Sequence, residues 1–146
     1  MGKILVLHGP NLNLLGKRDP EQYGRLSLEV INQLLKAYGE EKGVQIETVQ
    51  SNLEGELINN IQRAEGEVAG VVFNPGGYTH TSVALRDAVE AADVPVVEVH
   101  LSNIHGREDF RRHSLISPVC EGVVAGFGAV SYQLGIDALL HLNVER

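Results

Sequence analysis

The feature of this sequence that most constrains its fold is an alternation of apolar runs of strand length with segments of helical periodicity. The runs are rich in Val and Ile and mostly lack alternating polar residues, which is typical of parallel strands covered on both faces. Strands are predicted at 4–8, 44–49, 68–73, 96–100 and 119–125. This order of elements predicts five strand–helix pairs in an α/β protein with a parallel sheet.

Apolar residues at helical spacing mark the helices between these strands. The first helix is expected after Ser27, a suitable N-cap, and is expected to end before Gly43. The stripes are Ile31-Leu34-Leu35-Tyr38, Leu57-Ile61-Ala64, Leu85-Ala88-Val89-Ala92 and Tyr132-Ile136-Leu139-Leu140. The predicted fold is a flavodoxin-like, doubly wound five-stranded sheet of order 2-1-3-4-5, in a single domain spanning 1–146. Ligands of such sheets bind beyond the carboxyl ends of the strands, here near the loops after strands 1, 3 and 4.

Composition excludes several classes of protein. The chain has 146 residues, 43% of them hydrophobic and 21% charged, which suits one globular domain and excludes intrinsic disorder. A net charge of −7 argues against a nucleic-acid partner. The apolar segment 3–8 is too short for a signal core or a membrane span, so we expect a soluble cytoplasmic protein with no membrane partner.

Metal and phosphoacceptor sites find little support in the sequence. Cys120 is the single cysteine, which suits a reducing compartment and is expected near the core. Because no motif places two His or Cys on one helical face, we predict no metal site. A response-regulator receiver would need acidic residues after strands 1 and 3. This chain has His8-Gly9-Pro10-Asn11 after strand 1 and Asn74-Pro75 after strand 3 instead.

The loop after strand 1, residues 9–25, exceeds the usual length of a βα connection. It contains Arg18, Tyr23 and Arg25, together with glycines and a proline that could act as hinges. We interpret it as a lid closing over an anion, with an ordinary flexible loop as the alternative.

The loop after strand 3, residues 74–82, offers backbone amides and a helix N-terminus to an anion. A plain turn with Thr81 or Ser82 as N-cap explains it equally well.

Strand 4 carries the strongest chemical signal. Glu98 and His100 are two residues apart and therefore lie on the same face of the strand. A carboxylate can hold an imidazole in one tautomer, although the two could also form a structural pair. His8, at the end of strand 1, is expected to be structural.

Positive charge gathers at the same predicted edge of the sheet. The loops after strands 1 and 4 contain Arg18, Arg25, Arg107, Arg111 and Arg112. In an acidic protein this concentration predicts a small anionic substrate, a carboxylate or a phosphate.

Four motifs carry a resemblance to a known family. They are Gly-Pro-Asn-Leu-Asn-Leu-Leu-Gly at 9–16, Gln-Ser-Asn at 50–52, Asn-Pro-Gly-Gly-Tyr-Thr-His-Thr-Ser at 74–82 and Glu-Val-His-Leu-Ser-Asn-Ile-His at 98–105. With them the sequence, from Ile4 to about Leu142, resembles the type II 3-dehydroquinate dehydratases. It departs from the pattern at His8, Leu53, Gly77 and Gly106, where Asn, His, Ala and Ala are more usual.

The resemblance implies dehydration of 3-dehydroquinate to 3-dehydroshikimate, by anti elimination through an enolate and without a cofactor. Tyr23 would be the base, activated by Arg18 with help from Arg107. Asn11 would stabilise the enolate through a water. His100, oriented by Glu98, would be the general acid.

The resemblance also implies a set of substrate contacts. Asn74 and the Leu101-Ser102 turn would hold the substrate carboxylate. The ring hydroxyls would be met by His80, Arg111 and, from a neighbouring subunit, Asp87. That last role requires a homo-oligomer, and the family pattern implies a dodecamer of trimers. A non-catalytic flavin- or nucleotide-binding module on the same fold is the alternative, since a fold does not determine function.

Overall fold

The computed structural model describes residues 2–17 and 25–145 and contains a five-stranded, entirely parallel sheet. Its strand order is β2-β1-β3-β4-β5, which confirms the predicted doubly wound topology. The strands are β1 (Lys3–His8), β2 (Gln45–Gln50), β3 (Gly70–Asn74), β4 (Val96–His100) and β5 (Gly122–Ala125).

Four α-helices lie within the described ranges: α1 (Leu28–Lys42), α2 (Glu54–Arg63), α3 (Val83–Ala91) and α4 (Val130–Glu145). The prediction of five strand–helix pairs is therefore wrong at one place. Residues 101–121, between β4 and β5, form only short 3-10 turns. This segment lacks a continuous apolar stripe and is interrupted by Gly106 and Pro118, so it has no apolar face to bury as a helix.

The helix boundaries follow local capping chemistry. Ser27 accepts a hydrogen bond from the Val30 amide at 3.2 Å, and Gly43 ends α1 in the left-handed region with φ 77°. At α3, the Ser82 hydroxyl accepts a hydrogen bond from the Leu85 amide at 2.9 Å. Ser82, not Thr81, is thus the N-cap of that helix.

The core has two layers, one on each face of the sheet. Ile4 and Val6 of β1 pack towards α1 and α4, whereas Leu5 and Leu7 pack towards α2 and α3. Apolar residues on both faces explain why this central strand shows no polar alternation.

The edge strands depart from the predicted pattern. Residues 117–119 form a 3-10 turn, so β5 begins three residues later than predicted, and Val123 within it is 43% exposed. The other edge strand, β2, and the central strand β3 also begin and end slightly later than predicted. An edge strand has a neighbour on one side only, so an apolar sequence does not guarantee its burial.

The carboxyl ends of the central strands meet at one edge of the sheet. His8 pairs in register with both Gln50 and Asn74, and His100 ends the adjacent β4. The polar residues that follow these strands are therefore brought together. Among the described helices, none combines the length and apolar character needed to cross a membrane.

Candidate active site

A cleft of about 150 Å³ lies at this edge, beyond the ends of β1, β3 and β4. Drug-sized ligand pockets usually enclose ~300–1,000 Å³, so this cleft suits one small, compact molecule. Eight of the predicted site residues line it: Asn11, Asn74, His80, His100, Leu101, Ser102, Arg107 and Arg111. Among the residues that the structure describes, Pro10, Leu12, Gly76, Gly77 and Ile104 also line it.

The loops after β1 and β3 meet closely at the floor of the cleft. A Cβ at Gly9 would lie 2.5 Å from the Pro75 carbonyl oxygen, so no larger residue fits there without a backbone shift. Gly76 has φ 60°, and a Cβ there would lie 2.9 Å from the Pro10 carbonyl oxygen. Both glycines are therefore required by the close approach of the two loops.

Asn11 adopts a conformation that few non-glycine residues accept. Its φ is 69°, in the left-handed region, which asparagine tolerates better than most residues. Its amide donates to the Asn52 side-chain oxygen at 2.9 Å, and its carbonyl accepts from the Leu14 amide at 3.0 Å. These bonds hold Asn11 at the mouth of the cleft.

Glu98 lies behind His100 rather than in the lining of the cleft. The carboxylate is fully buried and His100 is 5% exposed. His100 Nε2 lies 2.5 Å from Glu98 Oε2, while Ser114 and Ser117 each donate a hydroxyl hydrogen bond to the carboxylate at 3.0 Å. Glu98 therefore fixes the ring orientation of His100, which leaves the other ring nitrogen for a ligand.

The arginines divide into two groups. Arg107 and Arg111 line the cleft, and Arg107 Nη1 lies 3.5 Å from the Ser102 hydroxyl. Arg111 also pairs with Glu108 at 3.2 Å. Arg112, by contrast, pairs with Asp109 and does not line the cleft, so the predicted gathering of arginines is only partly correct.

Glu108 forms ion pairs with Arg107 and Arg111. A backbone hydrogen bond, with the nearby Arg111 and Arg107 guanidinium groups, holds the pKa of Glu108 below its usual range. The cleft itself is lined by two arginines and two histidines, and its lining contains no carboxylate among the described residues. This charge suits an anionic ligand.

Other predicted residues lie elsewhere. Arg18 and Tyr23 fall outside the described residues. Asp87 is exposed on α3 and does not line this cleft, so its assignment to a neighbouring subunit stays a prediction. Within 2–17 and 25–145, no group of three or more His, Cys, Asp or Glu side chains is arranged to hold a metal ion.

Several residues that support the site were missed by sequence analysis. Ser114 and Ser117 lie in the irregular segment after β4, and Tyr132 lies in α4, where its spacing indicates only a core residue. No local motif distinguishes these residues. Their roles follow from contacts made across 16 or more positions of sequence.

The chain is similar to known proteins along nearly its whole length. Residues 2–140 match the family model described as Dehydroquinase class II. The chain is 55% identical over 146 residues to the 3-dehydroquinate dehydratase of Ruegeria pomeroyi, covering 99% of this chain and 98% of that one. It is 57% identical over 138 residues to the 3-dehydroquinate dehydratase of Acaryochloris marina, covering 94% and 93%.

A solved structure is similar over the same span. The type II dehydroquinase from Butyrivibrio crossotus superposes with a TM-score of 0.93 at 43% sequence identity, covering 94% of this chain and 97% of that chain. The similarity therefore extends over nearly the whole fold.

Proposed function

This chain belongs to the dehydroquinase class II family, and on that premise we propose that it dehydrates 3-dehydroquinate to 3-dehydroshikimate in the shikimate pathway. The observation that carries the proposal is the buried Glu98–His100 pair, whose histidine opens into a cleft lined by Arg107 and Arg111. A positively charged cleft suits the carboxylate of the substrate. The flavin- or nucleotide-binding alternative explains the glycines of the loops but not this pair.

His100 is proposed as the general acid. The Glu98 carboxylate accepts a hydrogen bond from Nε2, which directs the other ring nitrogen towards the cleft. When protonated, that nitrogen can give its proton to the departing hydroxyl, which leaves as water when its C–O bond breaks. The electron pair of the enolate forms the new carbon–carbon double bond.

Tyr23 is proposed as the base, on the family resemblance. Its phenolate would take the proton alpha to the ketone and leave the electron pair in an enolate. A phenol with pKa of ~10 needs neighbouring cations to ionise near neutral pH. Arg18 would supply that charge with help from Arg107, which lines the cleft.

The remaining lining residues would bind and polarise the substrate. Asn11 would stabilise the enolate oxygen through a water, in the manner of an oxyanion hole. Asn74, with the Leu101-Ser102 turn, would bind the carboxylate. His80 and Arg111 would meet the ring hydroxyls, and all of these line the cleft.

The proposal extends to assembly and compartment. Asp87 is exposed on α3 and would reach the cleft of a neighbouring copy in a dodecamer of trimers. The reaction moves protons and a hydroxyl but no redox electrons, so its chemistry requires no cofactor. A single cysteine suits a cytoplasmic enzyme.

The test is a direct assay of the purified protein. Adding 3-dehydroquinate should produce the ultraviolet absorbance of a conjugated enone, without any flavin absorbance in the protein. His100→Ala should abolish this signal while the protein stays folded. His141→Ala is the matched control, because His141 is exposed on α4 and does not line the cleft. Absence of enone formation by the wild-type protein would refute the function.

A further inference from the structure

A chain of hydrogen bonds runs from α1 to the cleft through the protein interior. Asn32 Oδ1 lies 2.8 Å from His8 Nε2, and His8 Nδ1 lies 2.7 Å from the Tyr132 hydroxyl. The Asn74 side-chain nitrogen lies 3.1 Å from the same hydroxyl. His8 and Tyr132 are fully buried, and Asn74 is 3% exposed. Asn74 thus links this buried chain to the lining of the cleft.

Groups with a single hydrogen-bonding role at the two ends of this chain set the direction of its bonds. Gly76 N–H can only donate, and it lies 3.1 Å from Asn74 Oδ1. The Asn74 amide nitrogen must therefore face Tyr132 and donate to its oxygen. At the other end, Asn32 Oδ1 can only accept, so a neutral His8 donates to it from Nε2. His8 Nδ1 is then an acceptor, and the Tyr132 hydroxyl donates to it.

We propose that His8 and Tyr132 are positioning residues that, together with the Gly76 N–H, hold the Asn74 side-chain amide in one orientation in the cleft. The proposal rests on the proposed function, in which Asn74 binds the substrate carboxylate. A carboxylate can only accept hydrogen bonds, so Asn74 must present an N–H to it. One N–H of the Asn74 amide donates to the Tyr132 hydroxyl, and the amide oxygen accepts from the Gly76 N–H. The second N–H therefore remains for the ligand.

Packing supports the same arrangement. The rings of His8 and Tyr132 meet edge to face, with centroids 4.9 Å apart and an interplanar angle of 67°. His8 and Asn74 occupy paired positions at the ends of adjacent strands. The three side chains therefore project from β1 and β3, which are paired in the sheet, and from α4, which packs against that sheet.

The chain of bonds requires a neutral imidazole at position 8. Burial lowers the pKa of His8 to about 4, so Nδ1 remains an acceptor at neutral pH. A protonated His8 would donate to Tyr132 instead. Tyr132 would then need Asn74 as its acceptor, which would turn the amide oxygen away from the Gly76 N–H.

A double-mutant cycle between Tyr132 and Asn74 tests the proposal. Tyr132→Phe keeps the buried ring but removes the hydroxyl that holds the amide. In the wild-type background it should raise KM for 3-dehydroquinate about three- to tenfold, the factor that one hydrogen bond contributes, and change kcat less. In an Asn74→Ala background the same change should leave KM unaltered within about twofold, since no amide remains to be oriented.

Tyr38→Phe is the matched control. The Tyr38 hydroxyl donates a 2.5 Å hydrogen bond to Asp137 on α4, away from the cleft, so its loss should affect the melting temperature and not KM. An unchanged KM for Tyr132→Phe, or an equal rise in both backgrounds, would overturn the proposal. Absence of turnover by the wild-type protein would instead refute the proposed function.

A measurement on the wild-type protein decides the case if Tyr132→Phe does not fold. Imidazole nitrogen chemical shifts report which ring nitrogen carries the proton. We expect His8 to be a single, neutral tautomer protonated on Nε2 at pH 7. A proton on Nδ1 would reverse the direction of the chain and contradict the proposal, whatever the activity of the protein.

Discussion

His100 Nε2 lies 2.5 Å from Glu98 Oε2, and both side chains are enclosed at the carboxyl end of β4. Ser114 and Ser117 donate to the same carboxylate. A buried carboxylate is costly unless hydrogen-bonded, and here three donors surround it. The result is a histidine with one ring nitrogen fixed by the protein and the other directed to the cleft.

Glu98→Gln should lower kcat less than His100→Ala does. General acids typically contribute ~10²–10⁴ in rate, and that factor is lost when His100 is removed. A glutamine preserves the shape of the side chain and can still orient the ring, although less well. Steady-state kinetics of the two folded variants should show this order. A folded His100→Ala protein with normal turnover would remove His100 as the acid.

Ser117→Ala should lower kcat several-fold and destabilise the protein by about 1 kcal/mol, because it removes one donor from the buried Glu98 carboxylate. Ser131→Ala is the control: Ser131 is fully buried, whereas Ser117 is only partly buried, and the Ser131 hydroxyl accepts from the Phe127 amide at 3.1 Å away from Glu98. It should cost similar stability without reducing kcat. Equal loss of kcat in both variants would show that Ser117 affects activity only through stability.

The stability of the protein should fall below about pH 6.5 because of His8. Burial depresses the pKa of His8 from 6.5 to about 4. The unfolded chain therefore takes up a proton before the folded protein does, so stability is present above pH 6.5 and is lost as the pH falls towards 4. Between pH 7 and pH 5 the loss from this group is about 2 kcal/mol.

Urea unfolding at the two pH values measures this loss. His8→Phe cannot titrate and should show a smaller decrease than wild type. His105→Gln, at an exposed position, should retain the wild-type decrease. An identical pH dependence for wild type and His8→Phe would contradict the prediction.

No lysine should form a covalent imine with the substrate. The chain has only Lys3, Lys17, Lys36 and Lys42; all lie within the described residues and none lines the cleft. Lys3 pairs with Glu47 at 3.6 Å. Borohydride added with 3-dehydroquinate should leave the activity intact. A substrate adduct on a lysine, detected by mass spectrometry after this treatment, would contradict the prediction.

Arg18 and Tyr23 should be coupled in the pH dependence of activity. Cations lower the pKa of a neighbouring phenol, so Arg18→Ala should raise the pKa of Tyr23 and move the requirement for its ionised form to higher pH. Tyr23→Phe should be nearly inactive at every pH. Arg18→Lys should restore activity only in part, because an ammonium keeps the charge without the planar donor geometry.

The pH–rate profiles of the wild type, Arg18→Ala, Arg18→Lys and Tyr23→Phe distinguish activation of the base by Arg18 from substrate binding by Arg18. An unshifted Arg18→Ala profile would mean that the arginine only binds substrate. Substantial activity of Tyr23→Phe would exclude Tyr23 as the base.

Much of the architecture follows from the sequence because its causes are local. Periodicity places the strands and helices, Ser27 and Gly43 mark the limits of α1, and chain order brings the ends of β1, β3 and β4 to one edge. The two-residue spacing of Glu98 and His100 predicts a shared face, and they are in fact in contact. These features depend on backbone geometry that neighbouring residues determine.

The tertiary structure decides which side chains meet when they are far apart in the sequence. Nothing in the sequence around Ser117 indicates that it meets Glu98, or around Tyr132 that its hydroxyl joins His8 to Asn74. Within residues 101–121, which form turns, the fold brings Ser114 to the Glu98 carboxylate and Arg107 and Arg111 to the cleft. A buried polar group must find its partner wherever the fold provides one, and that position is set by the packing of the whole chain.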